Sequence, residues 1–133
     1  MRHEYINPPE MGEPKGFSHA VVAEGKAVFL AGQTALDEHG QIVGGDVVAQ
    51  FEKSMGNLLN ALRAAGGKPE DLASLTIFIV DLADYRAHSA AIGRVWRRLV
   101  GTTYPAISGI GVARLWDEEA LVEVQGVAVL ADT

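Results

Sequence analysis

The sequence contains no cysteine, which excludes disulfides, thiolate nucleophiles, a Cys-x-x-Cys redox pair and cysteine-ligated zinc. Nor does any stretch approach the ~18 consecutive apolar residues needed to span a bilayer. The start, Met1-Arg2-His3-Glu4-Tyr5, lacks the apolar core of a secretory signal. Together these absences lead to the expectation of a cytoplasmic protein with no membrane partner. Positive charge is in the minority: 11 Lys and Arg face 17 Asp and Glu, a net charge of −6. That balance opposes a surface that tracks phosphates, so no nucleic-acid partner is expected.

What is present is one domain's worth of chain. The 133 residues fit a single domain, 1–133, with residues 1–16 as an entry segment whose prolines and glycines disfavour regular structure. The 15 glycines suggest turns and close backbone approaches. From Phe17 to Ala31 two apolar runs flank the polar step Glu24-Gly25-Lys26, which predicts a hairpin. Val48, Phe51, Met55, Leu58, Leu59 and Leu62 recur every three or four residues after Asp46, an N-cap candidate, and Gly66-Gly67 ends the pattern. This is an amphipathic helix. Leu75 to Val80 is short, apolar and β-branched, as in a strand covered on both faces. Asp81 then opens a second helix whose buried stripe is Leu82, Tyr85, Ile92, Val95, Trp96 and Leu99. Ala106–Ala113 and Ala120–Leu130 read as two further strands. Two helices, each with one apolar stripe, predict an α+β fold with both helices on one face of a mixed sheet.

Few residues carry an obvious chemistry. His3, His19, His39 and His88 are scattered without metal-ligand spacing, so no metal is expected. There is no Walker loop and no GxGxxG, and Gly109-Ile-Gly111 has no helix after it to receive a phosphate. Ser18 and Ser108 lack the nucleophile-elbow context. Arg94, Arg97 and Arg98 cluster near the end of the second helix, where they complement the helix terminus or, alternatively, bind an anion. Glu123 is the most informative carboxylate. Alternation places it on one strand face with Leu121, Gln125, Val127 and Val129. Desolvation there would raise its pKa toward the range of a general acid or base, and the competing reading is a polar spot on a half-exposed sheet.

Several segments, in order, resemble the RidA (YjgF) family of reactive-intermediate deaminases. They are Gly16-Phe-Ser-His-Ala20, Phe29-Leu-Ala-Gly-Gln33, the Gln50–Leu62 helix leading to Ala64-Ala-Gly66, Leu75-Thr-Ile-Phe-Ile-Val-Asp-Leu82, Tyr104-Pro-Ala106, Val112-Ala-Arg-Leu115 and Val122-Glu-Val-Gln-Gly-Val-Ala128. The resemblance runs from Gly16 to Val129. It implies a chorismate-mutase-like α+β fold and a homotrimer with pockets between subunits. A trimer would also cover the sheet face that two helices leave open.

The resemblance further implies hydrolysis of a small enamine or imine to a carbonyl compound and ammonia, without a cofactor. Glu123 matches the glutamate that handles water and is the expected catalytic residue. Phe17, Ser18, Gly32, Gln33, Ser89, Ile107, Ser108 and Gly109 match the substrate-binding positions. At four of these the chain departs from the family pattern. Ile107 stands where an arginine pairs with the substrate carboxylate, Phe17 where there is an aromatic hydroxyl, Ser89 where there is an asparagine, and Gly109 where relatives often carry a thiol. Isoleucine would leave a carboxylate desolvated and unpaired, at a cost of several kcal/mol, so the expected substrate is shifted away from 2-aminoacrylate. Backbone N–H groups near Gly109, Arg114 or Arg94 are the candidates for holding a carboxylate instead. The alternatives are a non-catalytic trimer that binds a small metabolite or partner and, more weakly, an endoribonuclease or translation inhibitor.

Overall fold

Residues 3–131 are described by the computed structural model. Asp46 begins the first long element as predicted: its carboxylate accepts the Ala49 amide at 3.0 Å and opens helix α1, Val47–Ala64. Phe51, Met55, Leu58, Leu59 and Leu62 all point into the core. Gly66, at φ +93°, reverses the chain beyond the helix, a conformation that costs a residue with a Cβ.

The main sheet has four strands in the order β3-β6-β4-β5, where β3 is Lys26–Gln33, β4 Leu72–Ile79, β5 Ala106–Gly111 and β6 Val122–Leu130. β6 runs antiparallel to both β3 and β4, and β4 runs parallel to β5. The sheet is therefore mixed, as expected. Helices α1, α2 (Leu82–Ala87) and α3 (Ser89–Leu99) bury one side of it. On that side Leu75, Ile77 and Ile79 meet Val122, Val124 and Ala128 in one core.

Four expectations need correction. The hairpin between Phe17 and Ala31 does not form: β2 (Ala20–Val22) pairs with β1 (Glu4–Ile6), while β3 pairs with β6. The apolar character of both runs is real, but β3 finds a longer and more apolar partner in β6, and the turn at Gly25 lies against the Leu130 carbonyl instead of joining paired strands. The entry segment correspondingly holds β1 and a 3-10 turn at Pro9–Met11. The second helix is two helices, because the chain departs from helical geometry at His88 (φ −105°, ψ 16°), whose Nδ1 bonds the Asp84 carbonyl at 2.9 Å. Finally, β4 is buried on one face only. Leu72, Leu75, Ile77 and Ile79 are buried, whereas Ser74, Thr76 and Phe78 on the other face are half-exposed. That outer face also carries Phe29, 80% exposed, and Ile110, 43% exposed.

Candidate active site

Strand register sorts the expected site residues into two groups. Residues directly opposite each other across a ladder share a face of the sheet. Ile77 faces Val124 and Gly109, and Leu75 faces Ile107, which places Ile107 and Gly109 on the helix side. Phe78 faces Glu123, and Thr76 faces Ser108, which places Glu123 and Ser108 on the open side.

On the open side, Glu123 sits against a bulge in β3. Between the pairs Leu30–Gly126 and Gln33–Val124, β3 advances three residues while β6 advances two, so Ala31 and Gly32 share one place in the ladder. A side chain at Gly32 would collide with Glu123 Oε2. Glycine there leaves a notch that the carboxyl group fills. Burial, and secondarily the like charge of Asp117, push the Glu123 carboxyl above its ordinary pKa. Asp117 is itself held by the Thr34 hydroxyl, which donates to its Oδ2 at 2.6 Å. The Gln33 side chain turns back toward the Ala31 carbonyl at 3.5 Å.

On the helix side, Phe17, Ser89, Ile107 and Gly109 line one cavity of about 500 Å³ between β5 and helices α2 and α3. Ser18 fixes one wall: its amide donates to the Pro105 carbonyl at 3.0 Å and its hydroxyl to the Tyr104 carbonyl at 2.7 Å. Those bonds lay Phe17 beside the start of β5, so Ser18 shapes the wall without lining the cavity. Gly109 has only Ile79 Cδ1 near the place of a Cβ, at 3.7 Å, and leaves open space. Gly111 has a different purpose, because a Cβ there would lie 2.7 Å from Leu82 Cδ1; its bareness lets α2 approach β5.

The cavity also gathers Lys15 of the entry segment, Tyr85 and Trp96 of the predicted core stripe, Arg97 of the basic cluster, and Tyr104. Spacing held the signal. Ser89, Gly93 and Arg97 are four residues apart, so a pocket that contains the first receives the others from the same helix face. The basic cluster on α3 accordingly divides. All four arginines are exposed: Arg98 pairs with Glu52 at 2.9 Å, Arg97 lines the rim of the cavity, and Arg94 and Arg114 do not line it. Among the described residues, no three His, Asp or Glu side chains are grouped to hold a metal ion.

A mixed four-stranded sheet with three helices on one face is the RidA-like class of α+β fold. The family model described as endoribonuclease L-PSP matches residues 10–130. The chain belongs to the RidA (YjgF) family. It is 30% identical over 129 residues to a RutC family protein of Pyrococcus abyssi, spanning 96% of this chain and 98% of the relative. It is 32% identical over 105 residues, 79% of this chain and 80% of the relative, to the 2-iminobutanoate/2-iminopropanoate deaminase of Salmonella typhimurium. Among solved structures it is similar to the conserved Rid protein YyfB of Yersinia pestis. The TM-score is 0.88 at 37% identity, covering 98% of this chain and all of that one.

Proposed function

We propose that the protein is a RidA-type deaminase that hydrolyses a small enamine or imine, with Glu123 managing the protons of the attacking water and the substrate shifted from 2-aminoacrylate because of Ile107. The observation that carries this reading is Glu123 itself, a half-buried carboxyl of raised pKa seated in a notch that only glycine leaves open. A carboxyl group whose pKa is raised by burial is suited to accept and return a proton during the reaction. In the proposed reaction the carboxylate takes a proton as the water oxygen bonds to the imine carbon. The electrons of the C=N bond pass to nitrogen, which receives that proton back from Glu123. Collapse of the carbinolamine moves its hydroxyl proton through the same carboxylate to nitrogen, breaks the C–N bond, forms the carbonyl and releases ammonia. The name of the Salmonella relative supports this class of substrate.

Glu123 and the cavity occupy opposite faces of one sheet, so the complete site is proposed to form between copies in a homotrimer, where one chain's open face meets its neighbour's cavity edge. The exposure of Phe29 and Ile110 beside Glu123 supports that contact. The test is ammonia release from a panel of amino-acid-derived imines generated in situ, comparing wild type with Glu123→Gln. A loss of about 10²- to 10⁴-fold is expected. Equal rates in both proteins, or no rate above buffer across the panel, would refute the reading and favour a binding module.

A further inference from the structure

The cavity on the helix side has an unusual charge for this molecule. In a chain of net charge −6, its lining contains two cations, Lys15 and Arg97, and no carboxylate. Among the described residues Arg97 makes no ion pair. Its guanidinium lies back along α3, with Nη1 3.5 Å from where a Cβ of Gly93 would stand, an ordinary contact distance. Trp96, 5% exposed, contributes its ring to the lining; among the described residues its indole N–H has no hydrogen-bond partner, and it is enclosed by protein. Apart from Ser89, the remaining lining is mainly aromatic or aliphatic: Phe17, Phe51 and Tyr104, which stacks on Trp96 at 6.0 Å, together with Ile77, Ile79 and Ile107.

We propose that Arg97, supported by Lys15, binds the carboxylate of a substrate whose apolar or aromatic side chain fills the space before Ile107 and Gly109, making Arg97 the specificity-determining residue of this site. The position matters more than the charge. A cation on α3, with a bare wall at Gly109 between it and the strand, leaves room that a two- or three-carbon acid cannot fill. Tyr85 adds to the donor set. Burial pushes its phenol up to about 12, so at neutral pH it can donate to an anion without acquiring charge. The identity of the ligand as an imino acid rests on the deaminase reading above; the recognition itself does not.

Phenylpyruvate, a stable keto acid with an aromatic body, serves as the probe, with pyruvate as its small counterpart, by isothermal titration against the intact protein. Wild type and Arg94→Gln, a change at an exposed arginine outside the cavity lining, should bind phenylpyruvate alike. Arg97→Gln should bind about tenfold more weakly or worse, Arg97→Lys should fall between, and pyruvate should trail phenylpyruvate by about tenfold in wild type. Arg97→Gln within about twofold of wild type, pyruvate equal to phenylpyruvate, or no saturable binding would overturn the proposal. Should this pattern hold while no imine is turned over, the deaminase reading falls and the recognition stands. Should turnover depend on Glu123 while Arg97→Gln changes neither binding nor KM, the recognition falls and the deaminase reading stands.

Discussion

Gly32→Ala separates the seat of the Glu123 carboxyl from the stability of the sheet. A methyl group at Gly32 would overlap Glu123 Oε2 and approach its Cδ to 3.0 Å and its Cγ to 3.3 Å. Every atom it meets belongs to the far end of one flexible, half-buried side chain. Overpacking a rigid core costs about 1–3 kcal/mol, but here rotation about the Glu123 side chain relieves the overlap. The expected loss is therefore about 1 kcal/mol or less, roughly 4 °C in Tm for a domain of this size. The displaced carboxylate, moved by about 1 Å, should cost about 100-fold in imine turnover. In a Glu123→Gln background the same substitution should add almost nothing to the activity loss, because both changes act on one group. Thermal unfolding and ammonia release on the four proteins test this together. Full turnover in Gly32→Ala, or additive losses in the double variant, would show that the notch does not position a reacting group.

Gly126→Ala is the contrasting change: its Cβ would stand 2.6 Å from the Ser74 carbonyl oxygen and 3.2 Å from Leu75 Cδ1. Backbone in the middle of the sheet cannot give, so urea denaturation should report a loss of about 2–3 kcal/mol. Ser54 is fully buried with an unpartnered hydroxyl; Ser54→Ala should be neutral or stabilising by up to about 1 kcal/mol, and a loss beyond that would reveal a hidden partner. The raised Glu123 pKa has a definite sign. The folded state keeps this proton to higher pH than the unfolded chain, so stability from this group falls as pH rises from the ordinary glutamate value through the raised one, and stays lowered above it. The Tm of Glu123→Gln relative to wild type should therefore improve as pH rises from about 4, the ordinary glutamate value; a relative Tm that worsens as pH rises contradicts the assignment.

The helices and the main sheet were legible because their signals are local. Asp46 and Asp81 cap α1 and α2 as their positions suggest, and alternation along β6 puts Val122 and Val124 inside and Glu123 outside. Partner choice among strands was not legible. Nothing within Ala20–Val22 states that it pairs with Glu4–Ile6 rather than with β3, since that depends on which strand β6 captures first. The break at His88 escaped notice because the apolar spacing of Tyr85, Ile92 and Trp96 continues across it. In the site, the resemblance pointed to Phe17, Ser89, Ile107 and Gly109, all four of which meet in one cavity. Arg97 was obscured by its neighbours: three arginines at a helix end have an ordinary explanation, and only the cavity distinguishes the one that leaves Arg98 to pair with Glu52.

The placement of Glu123 and Ile107 on opposite sides of β-strands that are hydrogen-bonded into one sheet cannot be undone by any side-chain rotation or loop movement within a chain. On the proposed reading, a reaction that uses both the carboxyl and the cavity requires at least two copies, and its specific activity should then depend on protein concentration near the dissociation constant of that proposed assembly. Mixing chains that lack the carboxyl with chains that lack the cavity cation should regenerate a fraction of intact sites that neither variant possesses alone.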